Sequence, residues 1–250
     1  MKKQIQDPVN QFFEERNADI VRLGEDDELR KQSLAWMVRA DQYKYTYNFT
    51  WMGRPIIKFP ADIIIQQELM WQLKPDLVIE TGIAHGGSIV FSASMMEMMG
   101  IDGEVVAVDI DIRDHNRQLI ESHPMYKRIT MYEGSSIDPA IVEKVKEHAK
   151  GKKCVMVVLD SLHTHDHVLE ELRAYAPLVT VGSYCILPDT FIEFFPPGYF
   201  SHNRPWDVGN NPYTGMKAYL AESNIFEIDK QLTSKAMITE TIDGYLRRVK

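Results

Sequence analysis

A series of short, almost wholly apolar runs constrains the fold more than any other feature of the sequence. These runs alternate with segments of helical pattern, which cover residues 62–73, 88–99, 139–149 and 167–175. The apolar runs themselves cover residues 77–82, 105–109, 129–134, 154–160 and 184–189. Strands that are apolar on both faces are typical of a parallel sheet with helices packed on both sides. The sequence therefore predicts an α/β protein with a doubly wound sheet.

The two ends of the chain differ from this regular middle. Residues 1–50 are largely polar and predict an N-terminal helical extension, and residues 51–250 predict the main domain. The aromatic run 43–51 predicts a strand or an ordered loop, either part of the core or a wall of a cavity. Near the carboxyl terminus, residues 226–232 and 236–242 predict a hairpin of two strands.

The composition limits which partners the protein can bind and predicts where in the cell it lies. The net charge is −8, from 28 Lys+Arg against 36 Asp+Glu, which argues against nucleic acid or an anionic membrane as the main partner. Hydrophobic residues make up 44% of the chain, enough for a sizeable core. The polar start at residues 1–4 and the absence of a long apolar run predict a soluble, cytoplasmic protein. Cys154 and Cys185 lie in apolar runs and predict buried thiols rather than a disulfide.

An acidic residue stands near the carboxyl end of each apolar run. These acids are Glu80, Asp109, Glu133, Asp160 and Asp189. In an open α/β sheet, ligands bind beyond the carboxyl ends of the strands, near the point where the strand order reverses. The pattern predicts that these carboxylates surround a ligand site.

The glycine-rich turn at residues 80–88 predicts where a ligand meets the backbone. Its spacing is neither G-x-G-x-x-G nor G-x-x-x-x-G-K-[ST], so it lacks the dinucleotide fingerprint and the phosphate loop. Glycines allow a ligand to approach the backbone closely, and Asp109 is suitably placed to accept hydrogen bonds from a ribose diol. A tight turn followed by a strand-end acid is the alternative interpretation.

The order and spacing of several short motifs give a closer resemblance. They are Glu80-Thr81-Gly82 with Gly86-Gly87-Ser88, Val108-Asp109-Ile110-Asp111, Gly134-Ser135-Ser136, Asp160-Ser161-Leu162-His163, and Gly182-Ser183-Tyr184 through Asp189-Thr190. Over residues 51–190 the chain resembles the cephalosporin hydroxylase/rhamnosyl O-methyltransferase family of S-adenosylmethionine-dependent methyltransferases. The resemblance implies a Rossmann-like methyltransferase sheet. It also implies a cofactor site, made of Glu80, Gly82, Gly86, Gly87, Ser88, Asp109, Ser135, Ser136 and Asp160.

Asp160 and Asp189 predict a metal site. They end neighbouring strands of the predicted sheet, so their carboxylates can converge on one hard cation such as Mg²⁺. Related metal-dependent methyltransferases carry an acidic pair after the fifth strand, but here Pro188 precedes Asp189. The site therefore binds metal weakly, recruits another oxygen ligand, or stays empty.

Asp160-x-x-His163 predicts the catalytic pair. The resemblance implies that His163 is the general base, a role that suits an imidazole titrating near neutral pH. We expect His165 and His167 to be solvated side chains at the start of a helix instead.

The implied reaction is Mg²⁺-assisted methylation of a hydroxyl on a sugar or another small polyhydroxylated metabolite. The aromatic run 43–51, Lys58 and residues 194–213 are candidates for the lid over the acceptor, and residues 1–50 for substrate or subunit contacts in a homo-oligomer. Two alternatives stay open: a non-haem iron hydroxylase and a non-catalytic cofactor-binding partner of a biosynthetic enzyme. A third, an NAD-dependent enzyme, is disfavoured by the glycine spacing.

Overall fold

A seven-stranded sheet lies at the centre of the computed structural model, which describes residues 7–250. A separate two-stranded hairpin precedes it, formed by β1 (Phe49–Trp51) and β2 (Arg54–Ile56). The strands of the central sheet are β3 (Leu77–Thr81), β4 (Glu104–Asp109), β5 (Ile129–Glu133), β6 (Val155–Leu159), β7 (Tyr184–Ile186), β8 (Phe226–Ile228) and β9 (Tyr245–Arg248). Their order is β5-β4-β3-β6-β7-β9-β8, parallel from β5 to β7 and antiparallel at β9 and β8.

Helices cover both faces of this sheet. The helices of the described residues are α1 (Pro8–Glu25), α2 (Asp27–Asp41), α3 (Pro60–Leu73), α4 (Gly87–Met99), α5 (Asp114–Glu121), α6 (Pro139–Ala149), α7 (His165–Tyr175), α8 (Pro212–Glu222) and α9 (Lys230–Ala236). One apolar cluster joins the sheet to α3, α4 and α5, and a second joins its other face to α6, α7 and α8. The doubly wound α/β fold predicted from the sequence is confirmed.

Strand β6 shows why nearly every residue of the predicted strands is apolar. Val155, Val157 and Leu159 pack into the α6–α8 layer, and Met156 and Val158 pack into the α3–α5 layer. All of these side chains are buried, because successive residues of a strand point to opposite faces and helices cover both. The chain order reverses between β3 and β6, which puts the ligand-binding crevice at their carboxyl ends.

The predicted carboxyl-terminal hairpin is partly wrong. Strands β8 and β9 do pair, but the first strand ends at Ile228, because the Asp229 side chain caps α9 by accepting from the amide of Gln231. Residues 236–242 are not a strand; the last strand is Tyr245–Arg248. In the segment between, the amide of Glu240 bonds to the Asp62 side chain, so it cannot take part in a strand ladder.

The N-terminal region is helical as predicted, with α1 packed against α9. The aromatic run contains a 3-10 helix (Tyr45–Asn48) that leads into β1. Cys154 and Cys185 are both free thiols; Cys185 is buried as predicted, whereas Cys154 is only half-buried, so that part of the prediction is wrong. Among the described residues, no helix is long and apolar enough to cross a membrane. Residues 1–4, which contribute to the prediction of a soluble, cytoplasmic protein, lie outside the described range.

Candidate active site

A cavity of about 650 Å³ lies at the carboxyl ends of the parallel strands. It joins the glycine-rich turn at one end to the acidic residues after β6 and β7 at the other. Most of the residues predicted for the site line it: Gly82, Gly87, Ser88, Asp109, Ser135, Ser136, Asp160, His163 and Asp189. Glu80 and Gly86 do not line it. The sequence motifs thus come together around one continuous space.

Asp109 at the end of β4 holds the glycine-rich turn in place. Its Oδ2 accepts hydrogen bonds from the backbone amides of Ile83 (2.7 Å) and Ala84 (3.1 Å), and its Oδ1 accepts from the amide of Asp111 (3.1 Å). A carboxylate has about four lone-pair sites, so these three amides leave it one further acceptor position. Asp109 is therefore part of the turn's own structure as well as of the cavity wall.

Two glycines of the turn are required by the protein backbone itself. A Cβ on Gly82, whose φ is +86°, would lie 1.8 Å from the carbonyl oxygen of Asp160. A Cβ on Gly87 would lie 2.1 Å from the carbonyl oxygen of Pro55. These contacts press the turn against β2 and the end of β6, and so they fix the position of the cavity floor.

Glu80 lies in β3 behind this floor and is fully buried. Its Oε1 accepts a hydrogen bond from the hydroxyl of Ser88, and its Oε2 has no hydrogen-bond partner among the described residues. Burial raises the pKa of Glu80 to about 7, although the nearby ammonium of Lys58 acts in the opposite direction. Glu80 therefore supports the wall through Ser88 rather than by exposing its own carboxyl group.

Asp160, His163 and Asp189 meet at the other end of the cavity. Each offers one ligand atom, and these atoms lie within 4.8 Å of one another; Nε2 of His163 is 3.4 Å from Oδ2 of Asp189. Strands β6 and β7 are neighbours, which brings the two acids together as predicted. Burial raises the pKa of Asp189 to about 6. Burial acts in the same direction on Asp160, but the charges of Lys58 and His163 and the hydrogen bonds to Asp160 together outweigh it and lower the pKa of Asp160.

Lys58 and Glu240 extend this cluster. The ammonium of Lys58 lies 3.1 Å from Oδ2 of Asp160 and 3.0 Å from Oε1 of Glu240. The side chains of Lys58 and Glu240 are both buried. Burial raises the pKa of the Glu240 carboxyl well above its usual range, while the two flanking acids raise that of Lys58 against the effect of burial. Lys58 was a candidate for the lid, but it is an internal cation of the acidic cluster instead.

The loop predicted as an acceptor lid does form a wall of the cavity. Phe195, Phe200, Arg204 and Trp206 line it, together with Asp41, Thr46 and Tyr47 from the N-terminal region. The indole of Trp206 meets the imidazole of His163 edge-on, with 4.7 Å between ring centroids. This contact limits the orientations open to the His163 ring.

The prediction for His167 is wrong in one respect. His165 and His167 do begin helix α7, but His167 is only 14% exposed and is not a solvated side chain. Its Nε2 lies 3.1 Å from the hydroxyl oxygens of both Ser136 and Ser161, at the cavity wall. His165 lies outside the cavity lining, with Nδ1 2.9 Å from the hydroxyl of Thr214.

Glu133 does not share the site with the other strand-end acids. It is exposed at the end of β5, pairs with Arg117 at 2.5 Å, and does not line the cavity. Strand β5 is the edge strand, so its end lies away from the reversal of strand order.

Comparison with known proteins identifies the family. The model of the rhamnosyl O-methyltransferase/CmcI family matches residues 43–249. This chain belongs to that family. The rhamnosyl O-methyltransferase of Mycobacterium tuberculosis H37Rv is 32% identical over 205 residues, covering 80% of this chain and 78% of the relative. The rhamnosyl O-methyltransferase of Mycobacterium leprae is 32% identical over 203 residues, covering 80% of this chain and 82% of the relative.

Solved structures agree on the fold. Apo CmcI superposes with a TM-score of 0.58 at 20% identity, covering 82% of this chain and 77% of the CmcI chain. CmcI with Mg and S-adenosylmethionine gives 0.57 at 21% identity, covering 82% and 78%. The family resemblance, the Rossmann-like fold and the O-methyltransferase class predicted from the sequence are confirmed.

Proposed function

We propose that this protein transfers the methyl group of S-adenosylmethionine to a hydroxyl of a sugar or another small polyhydroxylated metabolite, assisted by Mg²⁺. The observation that carries the proposal is the single cavity that joins the glycine-rich turn and Asp109 to the cluster of Asp160, His163 and Asp189. A methyl donor and a hydroxyl acceptor can be held side by side there. Proximity and alignment of that kind supply much of the acceleration in such reactions.

The residues at the turn fit the cofactor. Asp109 keeps an acceptor position for a ribose hydroxyl after binding three amides, and Ser135 and Ser136 line the wall beyond it. Behind this turn, Oε2 of the buried Glu80 has no hydrogen-bond partner among the described residues. When bound, S-adenosylmethionine supplies the electrophilic methyl group.

The acidic cluster fits a hard divalent cation. Asp160 and Asp189 would hold it through carboxylate oxygens, the ligands that Mg²⁺ prefers, and water or substrate would complete the coordination. A non-haem iron site uses two histidines and one carboxylate, whereas this cluster holds one histidine and two carboxylates. Bound Mg²⁺ would supply positive charge that favours the ionised form of an acceptor hydroxyl.

His163 carries the proton transfer in this proposal. Its imidazole lies between the acidic cluster and Trp206, so it faces the space where an acceptor hydroxyl would sit. Asp189, at 3.4 Å from Nε2, stabilises the imidazolium that forms when His163 takes the hydroxyl proton. The loop at residues 194–213 and the N-terminal residues that line the cavity limit the access of water to this end of it.

Residues 1–50 and 51–250 are proposed to act as an extension and a methyltransferase domain, because Asp41, Thr46 and Tyr47 reach the cavity from the extension. A cytoplasmic location and a homo-oligomeric state stay part of the proposal.

Titration calorimetry tests the assignment of the cofactor. S-adenosylmethionine should bind, Asp109→Asn should weaken binding, and Asp111→Asn, a change at an exposed neighbour, should not. Binding of NADH without binding of S-adenosylmethionine would refute the proposal. Binding without methyl transfer to any of a panel of sugars, unchanged by His163→Ala, would identify a non-catalytic cofactor-binding protein instead.

A further inference from the structure

Lys58 is a buried cation at the candidate metal site. It follows β2, and its side chain is 5% exposed. Its ammonium contacts Oδ2 of Asp160 at 3.1 Å and Oε1 of Glu240 at 3.0 Å. These three residues come from distant parts of the chain and from different structural elements. The fold therefore carries a fixed positive charge against one of the carboxylates expected to hold Mg²⁺.

The surrounding charges explain why this cation is present. Asp160, Asp189 and Glu240 all line the same end of the cavity, and Lys58 is the cation in contact with two of them. Buried carboxylates close together repel one another strongly unless a positive charge lies among them. In the protein without metal, the ammonium of Lys58 supplies that charge.

The same ammonium opposes the binding of a divalent cation. A metal ligated by Asp160 would lie within a few ångströms of the Lys58 nitrogen, because both would contact the same carboxylate. Like charges at such a distance repel one another even when the interior is strongly polarisable. Lys58 and Mg²⁺ therefore compete for the negative charge of Asp160.

We propose that Lys58 is a resident counter-ion of the Asp160–His163–Asp189 cluster. It keeps the acids assembled when no metal is bound, and it weakens the affinity of the cluster for Mg²⁺. Glu240 anchors the ammonium from the opposite side and so holds it at Asp160. The inference rests on the proposed function only in taking this cluster as the metal site.

Replacement of Lys58 by a neutral residue tests the proposal with the metal alone. Lys58→Met should bind Mg²⁺ about tenfold more tightly, or more, in titration calorimetry, because one positive charge beside Asp160 is removed. Its melting temperature without metal should fall, and Mg²⁺ should raise it by more than it raises that of the wild type. Lys58→Arg is the matched control, since it keeps the charge and should keep an affinity close to that of the wild type.

The competing outcomes are distinct. Mg²⁺ affinity that is unchanged or weaker in Lys58→Met would overturn the proposal, as would the absence of Mg²⁺ binding in both proteins. If Lys58→Met does not fold, Lys58→Gln gives the same comparison, because its neutral amide still bonds the buried carboxylates. S-adenosylmethionine binding by the wild type, measured on the same samples, separates a failure of this inference from a failure of the proposed function.

Discussion

The buried carboxyl group of Glu80 should give the protein a stability that depends on pH. Burial raises its pKa from the ordinary 4.5 to about 7 in the folded protein. Between these two values the folded protein holds a proton that the unfolded chain has released. The stabilisation is therefore complete below pH 4.5 and is lost as the pH rises through 7.

Glu80→Gln isolates this effect, because glutamine resembles the protonated acid at every pH. A shift from 4.5 to about 7 corresponds to about 3 kcal/mol of free energy of unfolding. Relative to Glu80→Gln, the wild type should thus lose about 2–3 kcal/mol between pH 5 and pH 8. The difference between the two proteins removes the contribution of other titrating groups that they share.

Urea unfolding of both proteins at a series of pH values measures that difference. Glu227→Gln is a suitable control, since Glu227 is an exposed residue of β8. The difference between this control and the wild type should stay flat. A difference between wild type and Glu80→Gln that does not change with pH, or a wild type that gains stability relative to Glu80→Gln as the pH rises, would refute the assignment of a protonated, buried Glu80.

Three further predictions concern the site and its support. His163→Ala should lower kcat by roughly 10²–10⁴-fold with unchanged cofactor affinity, and should remove the ascending limb of the pH–rate profile; His165→Ala should change neither. Trp206→Ala should raise the KM for the acceptor and leave the affinity for S-adenosylmethionine unchanged, because the indole packs on His163 at 4.7 Å. Asp62→Ala should lower the free energy of unfolding by about 3 kcal/mol or more, since it removes the acceptor for the Thr239 hydroxyl, the Glu240 amide and the Tyr245 hydroxyl.

Each of these has a result that contradicts it. A pH–rate profile of His163→Ala that keeps its ascending limb would exclude this histidine as the base. Equal losses of acceptor and cofactor affinity in Trp206→Ala would show a general packing defect. A melting temperature unchanged by Asp62→Ala would mean that the three donors find water instead.

The sequence predicts the centre of this fold well because residues adjacent in the chain specify each strand and the acid that follows it. An apolar run such as Val155–Leu159 forms a strand buried on both faces, and the acid that follows it reaches the cavity. The neighbouring positions of β6 and β7 then follow from the ordinary topology of α/β sheets, so Asp160 and Asp189 are predicted as a pair.

The remainder depends on contacts between distant residues. Lys58 and Glu240 are separated by 182 positions, and neither lies in a motif that signals its partner. The segment around Glu240 has the composition of a strand, but its amide bonds to the side chain of Asp62, 178 positions away. His167 appears polar and helical in sequence, and only its packing against Ser136 and Ser161 shows that it belongs to the wall.

The position of β9 has a consequence for synthesis of the protein on the ribosome. This strand lies between β7 and β8 although it follows both in the chain, and the segment just before it brings Glu240 to Lys58. While residues up to β8 have emerged, the sheet lacks the strand that joins β8 to β7, and the ammonium lacks one of its two acids. During this stage the edge of β7 is open to other chains, and chaperone binding to nascent chains should be strongest then.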